Sequence, residues 1–168
     1  TRYDYNASGK VAAVTNPDGT TRTVSYNGIG KPCLYRDEEG NETRISYNSM
    51  WEEEDITLPN GGHVRYTYDA YMRVTGVTDP KGRQTLYRYD AQGNLISIQT
   101  GDDVSASYTY DACGRQTGMA DGEGKKTEVS YDGNGRPVMA VDAAGGKTYR
   151  EYDALGRVCR ITDALGNR

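Results

Sequence analysis

The stretch that decides the fold is Tyr110-Asp111-Ala112-Cys113-Gly114-Arg115, one of eight equivalent stretches in this chain of 168 residues. Each stretch begins with Tyr followed by Asp or Asn, and the tyrosine recurs every 21 residues without a slip. A period near this length is typical of stacked units that bury no core of their own, so we expect a single repeat array over residues 1–168. Because the array starts and stops partway through a repeat, we expect it to be a piece of a longer polypeptide. The eight repeats begin at Tyr5, Tyr26, Tyr47, Tyr68, Tyr89, Tyr110, Tyr131 and Tyr152.

Each repeat contains two turn signals. In the first, as in Tyr152–Arg157, the Asp side chain is expected to accept hydrogen bonds from the backbone ahead of it, and Gly supplies a positive φ. In the second, as in Asp79–Gly82, Pro presets φ and Gly closes the turn. Gly occupies the first turn in six of eight repeats and the second in seven, which makes the spacing structural. The residues that we assign to the structural turns are Tyr5, Gly9, Tyr26, Gly30, Tyr68, Asp69, Tyr89, Asp90, Gly93, Tyr110, Asp111, Gly114, Arg115, Tyr131, Asp132, Gly135, Arg136, Tyr152, Asp153, Gly156 and Arg157.

The segments between turns hold about six or seven residues, which is the usual length of a strand and too short for a stable helix. We therefore predict an all-β fold, an antiparallel array of β-hairpins in which each strand pairs with its neighbours in the sequence. Alternation should put Val14, Ala12 and their equivalents on one face with Val24 and the tyrosines, and polar residues on the other. Such a wide sheet with one apolar face favours a curled, spiralling wall over a flat one.

Composition agrees with a thin sheet. The chain has 21 Gly, 15 Tyr, no Phe, a formal net charge of -4 and a mean hydropathy of -0.83. Tyrosine suits half-covered positions because its ring is apolar and its hydroxyl takes a polar partner. No basic stripe indicates nucleic acid, and no apolar run approaches the roughly 20 residues that span a bilayer.

No stretch of the sequence indicates catalysis, a cofactor or a metal. His63 is the only histidine, and we expect it to be an exposed strand residue with no nucleophile beside it. The run Glu52–Asp55 alternates between two faces, so it is expected to be a solvated acidic patch rather than a cation site. The segment Gly122–Thr127 lacks the spacing of a phosphate loop and aligns with a second turn.

The three cysteines do not form a framework. Cys33 and Cys159 occupy the same slot six repeats apart, and Cys113 lies in a first turn. An odd number of cysteines without short spacings argues against a set of disulfides and against a zinc site. We therefore interpret the cysteines as small hydrophobic residues.

The repeated Tyr-Asp-x-x-Gly-Arg motif, with Thr85-Leu86-Tyr87-Arg88-Tyr89-Asp90 leading into one copy, resembles the Rhs or YD-repeat family over essentially the whole chain. That family includes bacterial Rhs and polymorphic toxins, shell components of insecticidal Tc toxins, and the extracellular teneurins. The resemblance implies that the hairpins form part of a hollow β-shell that encloses a C-terminal toxin domain until delivery. It also implies a secreted or cell-surface location within a larger bacterial protein, with other modules of the same polypeptide and secretion-apparatus proteins as partners.

Bacterial shells of that family typically end in a segment that releases the toxin by an aspartyl-protease-like reaction. This sequence contains no counterpart of that segment, so no catalytic residue is carried over and we expect no enzymatic activity.

Two alternatives share the repeat character. One is a glycan-binding array, as in the choline- and carbohydrate-binding solenoids. Those arrays are rich in Gly-Trp and Tyr-Tyr pairs and in Phe, whereas this chain has one Trp and no Phe. The other is an adhesive extracellular scaffold like the teneurin shell, which differs from a toxin shell only in context.

Two features predict contacts with other surfaces. Trp51 and Met72 replace Gly in the first turns of the third and fourth repeats, and with Tyr71 they would lie on one rim roughly 10 Å apart. Either these turns adopt a different geometry and the bulky groups pack on neighbouring strands, or the three residues form a contact patch for another module or for cargo. The end strands of an array of repeats would also expose unpaired backbone groups, so we expect self-association through open sheet edges.

Overall fold

The computed structural model describes all 168 residues, Thr1–Arg168, as β-strands and turns. Sixteen antiparallel strands belong to one sheet whose strand order is the sequence order. The all-β prediction and the predicted array of sequential hairpins are therefore confirmed. The structure contains no helix with the length and apolar character that a membrane crossing requires.

The chain divides into two compact units, Thr1–Gln84 and Thr85–Arg168, and each carries four of the repeated tyrosines. The first unit holds β1 (Arg2–Tyr5), β2 (Val11–Thr15), β3 (Thr21–Tyr26), β4 (Pro32–Arg36), β5 (Glu42–Tyr47), β6 (Glu53–Thr57), β7 (His63–Tyr68) and β8 (Val74–Thr78). The strands that follow are β9 (Gln84–Tyr89), β10 (Leu95–Thr100), β11 (Asp103–Tyr110), β12 (Gln116–Asp121), β13 (Lys126–Tyr131), β14 (Pro137–Val141), β15 (Lys147–Tyr152) and β16 (Val158–Thr162).

The two kinds of turn share one backbone pattern. In the first turn of the first repeat, the N–H of Gly9 donates to the C=O of Asn6 over 2.9 Å, and the N–H of Asn6 donates to the C=O of Lys10 over 2.8 Å. The Oδ1 atom of Asn6 accepts the backbone N–H groups of Ser8 and Lys10. Gly9 has φ 74°, where a residue with a Cβ atom would be strained. Short-range side-chain chemistry therefore fixes each turn.

The second turn of the fifth repeat is the exception. Thr100 pairs directly with Asp103, so only Gly101 and Asp102 connect β10 to β11. Gly101 has φ 66° and supplies the positive φ that a two-residue hairpin needs. This tighter turn lengthens β11 to eight residues and is accompanied by a register shift between Ile98 and Gln99.

A β-bulge interrupts every first hairpin beside the repeated tyrosine. Ser25 pairs with Leu34 and Tyr26 pairs with Pro32, which leaves Cys33 as the extra residue on β4. A bulge bends its strand and locally increases the twist. The extra residues in the other repeats are Ala12, Glu54, Thr75, Ile96, Thr117, Val138 and Cys159.

The bulge breaks the alternation that the sequence pattern suggested. The hydroxyl of Thr75 lies 3.1 Å from that of Thr67, which points away from Tyr66 and Tyr68 in the same strand. In this repeat the residue two before Val77 therefore does not share the tyrosine side of the sheet, as strict alternation would require. The same hydroxyl contact recurs between Thr109 and Thr117.

The strand register advances by two residues in each repeat. Ala13 pairs with Thr23, and Thr23 pairs with Arg36, which is 23 residues after Ala13 in a repeat of 21. In the second unit, Ser97 pairs with Ser107, which pairs with Ala120, again 23 residues further on. Two residues of strand correspond to about 6.6 Å. Equivalent residues of successive repeats are therefore displaced along the strands as well as across them.

The interior is thin. Val14, at 8% exposure, is the only buried apolar residue. Val24, Ile45 and Tyr66 lie on the tyrosine face, defined as the face that carries Val14 and Tyr26, and they are half-buried. A fold without a thick core must be stabilised mainly by contacts between adjacent strands and repeats.

Deleting one complete repeat should be tolerated far better than deleting one strand. Removal of residues 27–47 takes out one whole repeat, so the remaining strands keep their pairing register. Their side chains stay on the same faces of the sheet, and the turns stay at the same edges. Removal of residues 37–47 takes out one turn and one strand, so every later turn emerges at the wrong rim. We expect a cooperative thermal transition by circular dichroism for the first variant only. Equal loss of structure in both would contradict the independent-hairpin picture.

Candidate functional site

The repeated tyrosine bonds its hydroxyl to the backbone of the preceding opening strand. Tyr26 donates to the C=O of Val11 over 2.9 Å, and Tyr110 donates to the C=O of Leu95 over 2.8 Å. In each case the acceptor lies 15 residues earlier and is the first residue of the bulged strand. The same bond joins Tyr47 to Pro32, Tyr68 to Glu53, Tyr131 to Gln116 and Tyr152 to Pro137.

This bond explains why the repeated position holds tyrosine rather than phenylalanine, which lacks the hydroxyl. A bulge disrupts the regular ladder, so nearby backbone groups need other partners. The phenol spans from one strand to the next and supplies the donor. Burial raises the pKa of Tyr47 and of Tyr68 above the ordinary value of 10.0, so both hydroxyls stay protonated at neutral pH.

An ion-pair and ring-stacking ladder runs along the first turns of the second unit. The Nε atom of Arg115 donates to Asp111 over 2.6 Å, and its guanidinium lies 4.8 Å from the ring centre of Tyr131. Its Nη1 atom also donates to the C=O of Asp132 over 3.3 Å. Arg136 repeats the arrangement, pairing with Asp132 and stacking on the next tyrosine ring at 4.6 Å. The motif residues Asp, Arg and Tyr thus couple each repeat to the next.

In the first two repeats, lysine rather than arginine closes the first turn. Lys10 lies 5.3 Å from the ring centre of Tyr26, and its Nζ donates to the C=O of Gly30. Lys31 stacks on Tyr47 at 5.1 Å and donates to the C=O of Trp51. In these four repeats the basic residue that closes the first turn therefore contacts the following repeat, whether it is Lys or Arg.

Trp51 and Met72 occupy glycine positions without changing the turn. Their φ values are 65° and 62°, and they are the only residues other than Gly with positive φ. The N–H of Trp51 donates to the C=O of Asn48 over 3.0 Å, as Gly9 does in its own turn. The alternative of a different turn geometry is therefore wrong. A left-handed conformation costs a residue with a Cβ atom about 1–2 kcal/mol, so both positions are strained.

Five apolar side chains protrude from three successive first turns, and we call them the turn-tip patch. They are Ile29, Met50, Trp51, Tyr71 and Met72. Trp51 is 48% exposed, Met72 51% and Tyr71 81%, so none of the three is buried among the array's own residues. Arg73 stacks on Tyr71 at 5.2 Å and pairs with Asp69. The structure thus leaves the predicted contact patch accessible.

His63 has a partner that sequence reasoning missed. Its Nδ1 atom lies 2.7 Å from Asp55, which also accepts a 2.8 Å bond from Arg65. The bond from His63 holds the pKa of Asp55 below its ordinary value of 3.8. Direct cross-strand pairing of residues 55 and 65 creates this cluster, whereas Glu52, Glu53 and Glu54 form no ion pair. The cysteines Cys33, Cys113 and Cys159 are free thiols.

Replacing Tyr110 by Phe should lower the free energy of unfolding by about 1 kcal/mol, because the C=O of Leu95 loses its donor while the ring remains. Tyr149→Phe is the matched control, since the Tyr149 hydroxyl makes no hydrogen bond and the side chain is 45% exposed. Urea unfolding followed by circular dichroism measures both. Equal losses in the free energy of unfolding for the two variants would show that the Tyr110 hydroxyl does not stabilise the fold through this bond.

Stability should fall in acid as the turn carboxylates protonate. Hydrogen bonds hold the pKa of Asp111, Asp132 and Asp153 below 3.8, the backbone N–H four residues ahead being the largest cause in each case. A group with a lowered folded pKa stabilises the fold above its unfolded pKa, and that contribution is lost as the pH falls through the folded pKa. We expect melting temperatures to be level from pH 7 to 5 and to drop below about pH 3.8.

The triple variant Asp111→Asn, Asp132→Asn and Asp153→Asn tests the cause of this acid dependence. Asparagine keeps the acceptor for both backbone N–H groups, as Asn6 and Asn27 do in the first two repeats. The variant should therefore fold at pH 7 and lose less melting temperature in acid than the parent chain. An unchanged acid slope would mean that other groups cause it.

Trp51→Gly and Met72→Gly should each stabilise the fold by about 0.5–1 kcal/mol, because glycine removes the left-handed strain at some cost in chain entropy. Gly9→Ala is the opposite control. A Cβ atom added there meets no atom within 4 Å, so its expected destabilisation comes from φ 74° alone. Thermal unfolding of the three variants would contradict the strain argument if the glycine variants were less stable than the parent.

Comparison with known protein families finds matches to successive repeats of the chain. The sequence profile of the family described as RHS Repeat matches residues 5–49, 55–84, 73–105, 89–127, 110–148 and 131–168. The sequence matches none of the curated proteins with which it was compared.

Solved structures share the fold at low sequence identity. A crystal structure of TcdB2-TccC3 without its hypervariable C-terminal region superposes with a TM-score of 0.80 and 16% identity, covering 96% of this chain and 10% of that chain. The Tc holotoxin pore of Photorhabdus luminescens with a TccC3-D651A mutation superposes with a TM-score of 0.64 and 14% identity, covering 99% of this chain and 12% of that one. The chain thus spans about a tenth of the structures that it matches. Since the family matches cover most of its length, the chain belongs to the RHS repeat family.

Proposed function

We propose that this chain is a wall segment of an Rhs shell that encloses a C-terminal toxin domain within a longer secreted bacterial protein. The observation that carries the proposal is the run of six RHS repeat matches together with the fold shared with TcdB2-TccC3 over 96% of the chain. The name of that relative mentions a hypervariable C-terminal region, as expected of a shell that carries exchangeable cargo.

The geometry supports a structural role. Tyrosine hydroxyls, turn carboxylates and closing basic residues are used in contacts between strands and between repeats. These groups hold the wall together and leave no arranged set of reactive groups along the repeats, so we propose a non-catalytic function. The hydroxyls of the repeated tyrosines donate to backbone carbonyls within the array, which disfavours the alternative in which the tyrosine rings form cages for glycans.

Enclosure can be tested by comparing the two faces of the sheet in the longer protein. Arg22 is exposed on the tyrosine face, since it pairs with Val14, and Arg44 is exposed on the opposite face, next to Ile45 in the same strand. Arg22→Cys and Arg44→Cys are made singly after the three native cysteines are replaced by Ser. Each thiol is then challenged with a maleimide linked to a large polyethylene glycol.

Both thiols should react in the 168-residue chain, where each face is open to solvent. In the intact longer protein only one should react, because the other faces a closed chamber. Reaction of both in the native longer protein would reject enclosure and favour an open adhesive scaffold. Limited proteolysis then tests the cargo, since a segment that follows the array should be protected only while the shell is intact.

A further inference from the structure

The dipeptide Asn-Gly occurs three times in the chain, and the structure places the three copies differently. In this dipeptide the backbone nitrogen of the glycine can attack the side-chain amide of the asparagine, because glycine has no side chain to crowd that nitrogen. One copy begins a first turn, and the other two end at the glycine whose N–H closes a turn. They are Asn27-Gly28, Asn60-Gly61 and Asn134-Gly135.

Only one of the three glycine nitrogens is free to react. The backbone N–H of Gly61 donates to the C=O of Leu58 over 2.9 Å, and that of Gly135 donates to the C=O of Asp132 over 3.0 Å. Neither nitrogen can turn towards the preceding side chain without breaking its turn. The N–H of Gly28 makes no hydrogen bond, and the residue is exposed. The attacking nitrogen is therefore unbonded and uncrowded at Gly28 alone.

The carbonyl that would be attacked is also prepared at the same place. The Oδ1 atom of Asn27 accepts the backbone N–H of Ile29 over 3.2 Å and that of Lys31 over 2.9 Å. Attack on Cγ places negative charge on Oδ1, and backbone N–H groups aimed at such an oxygen stabilise that charge, as in an oxyanion hole. The Oδ1 atom of Asn60 accepts one backbone N–H, and that of Asn134 accepts none.

Two other asparagines have the prepared carbonyl without the uncrowded nitrogen. Asn6 and Asn48 begin the first turns of the first and third repeats, and each Oδ1 atom accepts two backbone N–H groups. Ala7 and Ser49 follow them, and their side chains stand beside the nitrogen that would attack. Asn27 is therefore the one asparagine of the chain that has two donors at its Oδ1 atom and a glycine after it.

We propose that Asn27 is a self-modification site, at which the folded turn promotes conversion of the asparagine to aspartate and isoaspartate with water as the co-reactant. The reaction happens once in each chain and consumes the side-chain amide, so it is not an enzymatic turnover. This site does not depend on the enclosing role proposed above, and either proposal can fail without the other.

The first step forms a cyclic imide. The backbone nitrogen of Gly28 bonds to Cγ of Asn27, the bond from Cγ to Nδ2 breaks, and ammonia leaves with the proton that the glycine nitrogen gives up. Water then adds to one of the two imide carbonyl carbons. Addition at Cγ restores the main chain and gives aspartate. Addition at the backbone carbonyl breaks its bond to the glycine nitrogen and gives isoaspartate, and no oxidant or reductant takes part.

The two products should affect the turn differently. Aspartate suits it, since five of the eight repeats begin the first turn with Asp. Isoaspartate adds one methylene group to the main chain at position 27. That group separates the N–H that Asn27 donates to Lys31 from the C=O that accepts the N–H of Gly30. The isoaspartate product should therefore lose the first turn of the second repeat.

The three identical dipeptides allow a test within one molecule. The folded 168-residue chain is incubated at mildly alkaline pH, and peptide mass spectrometry follows the gain of about one dalton at each asparagine. Asn27 should convert at least tenfold faster than Asn60 and Asn134, because only its turn supplies both the free nitrogen and the paired donors. In concentrated urea the turn hydrogen bonds are lost, so the three rates should converge.

Two alanine variants separate the chemistry from the fold. Gly28→Ala should slow conversion of Asn27 at least tenfold by crowding the nitrogen. The variant should fold, because φ is not positive there and an added Cβ atom would meet no atom within 4 Å. Gly133→Ala is the matched control, since Gly133 holds the same place in the seventh repeat with the same open surroundings, and it should leave the rate at Asn27 unchanged.

Three results would overturn the proposal. The first is a rate at Asn27 in the folded chain that is less than tenfold above the rates at Asn60 and Asn134. The second is a preference for Asn27 that persists in urea, which would assign it to the neighbouring sequence rather than to the turn. The third is an unchanged rate in Gly28→Ala. Asn27→Asp supplies the aspartate product as a standard and should show no further gain in mass at this position.

Discussion

The structure depends on the hydrogen bond that a repeated tyrosine hydroxyl, as at Tyr26, Tyr110 and Tyr152, donates to the backbone carbonyl at the start of the preceding bulged strand. A bulge bends and twists a strand at the expense of regular pairing. The tyrosine compensates for this loss of pairing, because its hydroxyl supplies a donor where the hydrogen-bond ladder is disturbed. Its ring also covers the contact between the two strands. The basic residue that closes the preceding first turn then stacks on the same ring, as Arg115 does on Tyr131 and Arg136 does on Tyr152. The bulge and the tyrosine recur in every repeat, and a basic residue joins them wherever Lys or Arg closes the first turn, with Glu52 and Asn94 as the exceptions.

This arrangement replaces a hydrophobic core. With a single buried apolar residue, the fold resembles a linear chain of nearest-neighbour contacts more than a globule with a centre. Each contact is modest, since exposed ion pairs and single hydrogen bonds contribute about 1 kcal/mol or less. Their number and their strict repetition give the array its order. Local disturbance is consequently expected to stay local, because no central core transmits it.

The turns and the strand order were predictable from the sequence because their causes lie within six residues. Asp111 and Gly114 set their own turn, and short turns leave antiparallel pairing with the next strand as the only outcome. The bulges were not predictable from alternation, since Cys33 and Val138 continue a pattern of apolar residues through the point where the register shifts. The partnership of His63 with Asp55 likewise required the register of two strands. By contrast, the strain at Trp51 and Met72 follows from comparing equivalent positions, because glycine holds positive φ in the matching turns.

The two-residue register advance has a consequence for how such repeat arrays change size over evolution. In closed sheets the ratio of stagger to strand number sets the inclination of the strands. Here that ratio is a property of one repeat, because each repeat contributes two strands and two residues of stagger. In-frame duplication or loss of a repeat's coding sequence therefore leaves the inclination unchanged. Gain or loss of whole 21-residue repeats can therefore change the number of strands while the inclination of the remaining strands stays the same.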